Sequence, residues 1–392
     1  MLRITLAALG IFLSALAAFS QSVPDSLYAP RKLKLEEANF VSSYYRQDGN
    51  NSAVTGGIGD EHLTDFATTI DVKYSRYDRR KRKHSLFGEL GVDVYSSASS
   101  DKIDPSTISS ASSQDVRVYP SVTYSINNPA TGSTWSGTGS VSTEYDYFST
   151  GAALGWSKLS KDKNREFSVR GQVFLDTWTV ILPIELRTPG AIRGNKPRNS
   201  YSASLSLSQV ITKRLQILLL ADIAMQDGQL GTLFHRTYFK NGDLRLENLP
   251  DSRFKLPIGI RAHYFMGDRF IIRSFYRFYT DDWGMTAHTF ELETPVKISP
   301  FFSVSPFYRY YTQHGVDYFA AYAQHEVGAE YYTSDYDLST LHSNMYGLGV
   351  RIAPPGGVFG IAKFNALEVR YAHYDRSTGL TSDIFTLAAK FK

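Results

Sequence analysis

The chain contains no cysteine. That excludes a disulfide framework, thiol chemistry and a lipid-modified N-terminal cysteine. Long apolar runs are also missing beyond residue 20, where the longest is Ile217 to Ala221. A membrane-spanning helix needs roughly 20 apolar residues, so none is expected there. Nor does one sign of charge dominate. Forty-two Lys and Arg stand against 38 Asp and Glu, a net charge of +4, and long basic tracts with interleaved aromatics do not occur. Nucleic acid is therefore not an expected partner. Tryptophan is scarce, with 4 residues against 26 tyrosines, yet aromatics together reach 14%.

What the chain does have is strict alternation. Phe254, Leu256, Ile258, Ile260, Ala262 and Tyr264 form one apolar row, and Lys255, Pro257, Gly259, Arg261 and His263 fill the positions between. Successive side chains of a strand point to opposite faces, so this stretch reads as one strand with an oily face and a wet face. The pattern recurs over 33–46, 63–77, 84–97, 114–127, 134–146, 149–159, 165–178, 199–212, 214–226, 253–265, 268–281, 285–298, 301–313, 343–353, 363–376 and 380–392. The expectation is an all-β fold, a transmembrane antiparallel up-and-down β-barrel of about sixteen strands, with fourteen as the alternative count. Residues 134–146, rich in Ser, Thr and Gly, form the weakest strand pattern. Short connections (such as 78–83 and 266–268) alternate with long ones (47–62, 98–113, 179–198, 227–252 and 314–342), as periplasmic turns alternate with outer loops.

The first residues read as an export signal. Arg3 precedes an apolar stretch from Leu6 to Leu16, and small residues follow at Ala15, Ala17, Ala18 and Ser20. Cleavage is expected before Gln21, or else before Ala18. The expected organisation is a signal peptide at 1–20, a periplasmic lead-in at 21–32 and a single barrel at 33–392, placed in the outer membrane of a Gram-negative bacterium and surrounded by its lipids.

Apolar rows such as Leu86, Leu90, Val92 and Val94, or Phe385, Leu387, Ala389 and Phe391, carry no charge. Lys or Arg at bilayer depth costs roughly 2–4 kcal/mol, which suits these rows to lipid. A soluble β-sandwich or lipocalin-like barrel also alternates, but so many oily-faced strands would need two such domains, and no linker separates them. The opposite face carries Glu89, Asp93, Arg117, Lys255, Arg261, Arg273, Arg277, Glu291, Glu293, Arg309, Arg351 and Arg370. These are the expected pore-lining residues. Their basic majority would favour anionic or zwitterionic small solutes, while neighbouring opposite charges would also pair along the wall.

Other motifs carry less. Asp60, Glu61, Asp101 and Asp104 lie in two outer loops and form a candidate site for a hard cation, although flexible turns account for the same composition. Gly56-x-x-Gly59 has no following Lys-Ser/Thr and is not a phosphate loop. The basic run from Arg76 to Lys83 reads as a solvated periplasmic turn. The nine histidines are scattered, without His-Glu-x-x-His, so no transition-metal site, cofactor or catalytic set is expected.

Several stretches resemble a family of bacterial outer-membrane proteins known as domain of unknown function 3570. They are Thr55-Gly56-Gly57-Ile58-Gly59, the stretch from Tyr95 to Asp104, the stretch from Ser109 to Ser121, and Glu144-Tyr145-Asp146-Tyr147. The resemblance implies an outer-membrane location without a reaction or substrate, and gives weight to Asp101, Asp104 and Asp115. The expected function is a porin-like passive channel and not an enzyme. The alternative is a non-conducting barrel, plugged by loops 227–252 or 314–342, that serves a secretion or surface-assembly system. A barrel hydrolase is a third reading, but Ser and Asp are so frequent that their coincidence with His singles out no catalytic group.

Overall fold

A computed structural model of the chain describes residues 32–96, 114–187 and 194–392. The expected signal peptide, nearly all of the lead-in, and Asp101 and Asp104 lie outside the described residues.

The first nine strands follow one another as antiparallel neighbours. They are β1 (Lys34–Asp48), β2 (Leu63–Tyr77), β3 (Lys83–Ser96), β4 (Gln114–Asn128), β5 (Ser133–Thr143), β6 (Tyr147–Leu159), β7 (Arg165–Thr179), β8 (Asn195–Thr212) and β9 (Leu215–Gly228). The connection after β9 holds a small hairpin of β10 (Arg236–Tyr238) and β11 (Leu244–Leu246), separate from the main sheet. The wall resumes with β12 (Ser252–Met266), β13 (Phe270–Asp281), β14 (Thr286–Glu293), β15 (Val296–Ser299), β16 (Phe302–His314), β17 (Leu341–Ile352), β18 (Phe364–Arg376) and β19 (Thr381–Phe391).

The ring closes where β19 pairs with β1, in unbroken register from Ala38 opposite Phe391 to Asp48 opposite Thr381. β14 and β15 both stand between β13 and β16 and make one crossing, so the seventeen-stranded sheet has sixteen ring positions. Closure leaves no free edge, which is the condition for carrying strands through lipid.

The expected strands and the observed ones agree to within a few residues, and the departures have local causes. The strand expected over 285–298 is cut at Thr294-Pro295, because proline has no N–H to give the ladder. Pro295 and Thr294 still bond sideways: Ile271 N donates to the Pro295 carbonyl at 3.1 Å and Thr294 N to that of Pro306 at 3.0 Å. β5 ends at Thr143, so Glu144 and Asp146 belong to the connection and not to the strand. Pro120 similarly interrupts the β4–β5 ladder, whose pairs pass from Val118 opposite Thr143 to Ser121 opposite Ser140.

The outer surface of the wall is apolar and bare. Leu219, Ile258 and Phe385 are 46%, 47% and 51% exposed, and comparable rows run round the ring. In water such a continuous surface would drive association; in a bilayer it is the lipid contact. This outward greasy surface on a closed ring makes the protein an integral outer-membrane β-barrel. At its base the 353–363 connection buries Val358 against Phe364 and Ala389 and leaves Phe359 and Ile361 exposed, a location suited to the lipid interface.

The chain's lack of cysteine makes single-cysteine labelling clean. A cysteine at Ile258 or Leu387 should be accessible to lipid-phase quenchers and protected from a charged thiol reagent. One at Ser204 or Ser206 should react with the charged reagent. Fluorescence quenching in proteoliposomes checks this, and reversal of the two patterns would refute the assignment of faces.

Candidate functional site

Cross-strand register collects the charged residues on the inner face. Arg261 stands opposite Phe275, His263 opposite Arg273, and Gly259 opposite Arg277. Further round, Arg273 faces Glu293, Phe275 faces Glu291, and Glu291 in turn faces Arg309. Arg351 faces Glu368, and Arg370 faces Gly349. A row of arginines thus crosses successive ladders from β12 to β18.

Glutamates tie this row together without neutralising it. Glu293 accepts from Arg273 at 3.3 Å and from Arg370 at 3.1 Å, Glu291 from Arg309 at 2.7 Å, and Glu368 from Arg370 at 3.0 Å. The Arg351 and Glu368 head groups are 4.0 Å apart. Arg261 lies over the Phe275 ring and Arg370 over that of Phe307, at 5.1 and 4.7 Å from the centroids. Arg277 faces Gly259 and Thr289, neither of which carries charge. Six arginines (261, 273, 277, 309, 351 and 370) share three glutamates (291, 293 and 368) along this wall. Four of them, Arg261, Arg273, Arg309 and Arg370, line a cavity of about 390 Å³. Lys255 stands nearer the outer mouth, opposite Asp281.

The rest of the inner face differs in charge. On β2 and β3, Asp71 stands directly opposite Glu89, and Asp93 faces Arg117 on β4. Asn39 donates to Asp71 at 2.9 Å and Tyr119 to Asp93 at 3.0 Å, offsetting part of the repulsion. From β4 to β8 hydroxyls dominate: Thr123 and Thr138 bond at 2.9 Å, and Ser200 through Ser208 present every second residue inward. Arginines on this face thus concentrate from β12 to β18, carboxylates on β2 and β3, and hydroxyls from β4 to β8, with Arg170 of β7 among them.

Four outer loops interlock over the mouth. Arg236, 2% exposed, donates to Glu185 at 2.6 and 3.0 Å and to the Val54 carbonyl at 2.8 Å, joining three loops at one guanidinium. Val54, Ile181 and Phe234 pack beside it. Loops 229–251 and 315–340 exchange backbone bonds, Tyr332 N to Asn248 O at 2.7 Å and Asn248 N to Tyr332 O at 3.2 Å. Beneath them, Leu249, Trp283, Met285 and Val316 form a second apolar cluster. The cap also reaches inner-face residues, since Gln313 donates to the Asp337 carbonyl at 2.9 Å and Arg376 pairs with the Asp337 carboxylate. Gly56 and Gly57, with φ of 85° and 86°, let loop 49–62 approach closely: an added Cβ would lie 2.7 Å from the Tyr238 ring and from the Ser334 carbonyl respectively.

Inside the cap, Glu247 is 3% exposed and accepts from Thr333 Oγ1 and Thr232 N, both at 2.5 Å. His235 Nδ1 lies 3.7 Å from it. Burial opposes a charged His235, but Glu247 outweighs that and raises its pKa. Burial, then the Asp337 charge, pushes Asp335 up to about 7.

Of the loop residues expected to hold a cation, Asp60 contacts His62, and Glu61 lies 3.8 Å from Arg376. Neither joins a cluster of potential metal ligands among the described residues. The clusters that do form are His235, Glu247 and Asp335, and Asp115, Glu144 and Asp146. Sequence spacing does not announce either set, because each brings a pair from one connection together with a residue distant in the chain, Asp335 in the first and Asp115 of β4 in the second. Burial, then the Asp115 charge, pushes Asp146 up to about 6.

The fold and its inner face define a closed sixteen-strand outer-membrane barrel. Residues 95–382 match the family described as "Protein of unknown function (DUF3570)", and the chain belongs to that family. No curated protein matches the chain. Among solved structures, a BenF-like porin from Pseudomonas fluorescens Pf-5 matches at 9% identity and a TM-score of 0.43, over 91% of this chain and 98% of that one. Pseudomonas aeruginosa OccD3 (OpdP) matches at 8% identity and a TM-score of 0.44, over 95% and 96%. Similarity of this degree says nothing about solutes or residues.

Two outcomes test the cap. Asp335 and His235 both have pKa values raised above their ordinary 3.8 and 6.5. Groups raised by folding favour the docked cap at low pH, and that support is lost as pH rises through their folded values. Amide exchange in 229–251 and 315–340, corrected for intrinsic rate, should therefore be slower near about pH 5 than near about pH 8, and Asp335→Asn should flatten the dependence. Gly57→Val forces a strained φ and a clash, and should cost the docked cap about 1–3 kcal/mol. Faster protease nicking of the outer loops in an otherwise heat-modifiable barrel would register it.

Proposed function

We propose that the protein is a porin-like passive channel for small solutes, with anionic or zwitterionic ones favoured by its basic wall. The observation that carries this reading is the row of arginines across successive ladders from β12 to β18, only partly matched by Glu291, Glu293 and Glu368. In a water-filled lumen with low-dielectric walls, such a row attracts anions, while the acidic arc on β2 and β3 orients dipolar solutes across the passage. Passage of this kind needs neither a reaction nor a cofactor.

The interlocked cap favours a second reading, in which the barrel does not conduct and its outer surface docks a partner of a secretion or surface-assembly system. The buried Arg236 and the apolar clusters make the cap a fixed body, as a closed docking surface would require.

Planar-bilayer recording separates the two. The channel reading predicts ohmic steps from the wild-type barrel with mild anion preference. Arg273→Ala/Arg277→Ala should shift the reversal potential toward cations while the steps persist. If the folded wild type is silent and removal of 229–251 or 315–340 opens conductance, the docking reading replaces it. Silence in both would end the channel reading.

A further inference from the structure

Two separate stretches of the chain meet at the outer rim. Asp115 is the second residue of β4, and Glu144 and Asp146 flank Tyr145 in the connection between β5 and β6. Carboxylate oxygens from all three lie within 4.8 Å of one another. Asp115 is 3% exposed; one of its oxygens accepts from Val116 N at 2.7 Å, while Oδ2 meets no donor. Glu144 accepts from the Tyr95 hydroxyl at 2.8 Å, and its other oxygen lies 3.4 Å from Arg117 Nε. Arg117 thus stands beside Glu144. A buried carboxylate oxygen without a donor is costly, and like charges this close resist joint ionisation.

We propose that Asp115, Glu144 and Asp146 form a site for a hard divalent cation of the calcium class. Oxygen ligands sit about 2.3–2.6 Å from calcium, so two ligands on opposite sides of one ion are about 4.6–5.2 Å apart. The observed spread fits that span. The set is all oxygen, without imidazole or thiolate, which selects against softer transition metals. A bound ion would supply the partner that Asp115 Oδ2 lacks, with water or loop carbonyls completing its shell.

The location gives the ion a role. The β4–β5 ladder ends with Val118 opposite Thr143, so Asp115 lies beyond the last paired residue of β4 on that side. The connection beside it is held by Glu144 N donating to Tyr147 O at 2.8 Å and Thr179 N donating to Asp146 O at 2.7 Å. A cation joining Asp115 to this connection would continue the junction of β4 and β5 where backbone bonds have stopped. Without it, mutual repulsion would spread the rim. The proposal is independent of whether the barrel conducts.

The test uses the refolded full-length barrel in detergent, stripped with EDTA, with folding checked by heat-modifiable migration. Calorimetric titration with Ca²⁺ should show one site with Kd roughly 10⁻⁴–10⁻³ M, the range of extracellular calcium modules. Terbium at the same site should show luminescence sensitised by the neighbouring Tyr95, displaced by Ca²⁺. Asp115→Asn should weaken binding tenfold or more; should it fail to fold, Glu144→Gln is read instead and should do the same. Absence of Ca²⁺ binding and of terbium emission in folded wild type would overturn the proposal. So would binding unchanged in the folded variants.

Discussion

Closure of the backbone hydrogen-bond ring governs everything else in this molecule. The ladder between β1 and β19 satisfies the last two edges, and once no edge remains the wall can stand in hydrocarbon. Closure also divides the side chains into two sets with no intermediate choice. Alternation along each strand sends one set to lipid and the other inward, and a slip of one residue would exchange them. Arg273 or Arg309 turned outward would cost roughly 2–4 kcal/mol at mid-bilayer, so the register is pinned from both faces.

The inner face shows how charges live in such a ring. Glu293 serves both Arg273 and Arg370, and Glu368 serves both Arg370 and Arg351 at different distances. Sharing holds the guanidinium groups in place. The pairs are partly exposed, so their contribution to stability is modest.

Sequence and structure agree best where a two-residue period decides the outcome. The strands could be located because lipid accepts only one side of each, and the break at Pro295 marks a point where backbone chemistry overrides a favourable side-chain pattern. The cap is legible only as long outer connections, 227–252 and 314–342 among them, and not in the contacts that lock them together. Arg236 looks like any loop arginine until Glu185 and the Val54 carbonyl, from two distant connections, converge on it. The candidate cation ligands show the same limit. Asp60 and Glu61 stood out by loop composition, yet the cluster of carboxylates formed by Asp115, Glu144 and Asp146 depends on β4 overrunning the end of β5. Family resemblance drew attention to both contributing stretches, while their meeting is a property of register.

The knitted outer loops also decide how the cell surface displays this protein. A visitor arriving from outside meets residues from several connections at once, held side by side by Arg236 and by the Asn248–Tyr332 exchange. An antibody or phage fibre would therefore recognise a conformational epitope. A peptide cut from any single loop would be a poor immunogen for the intact cell.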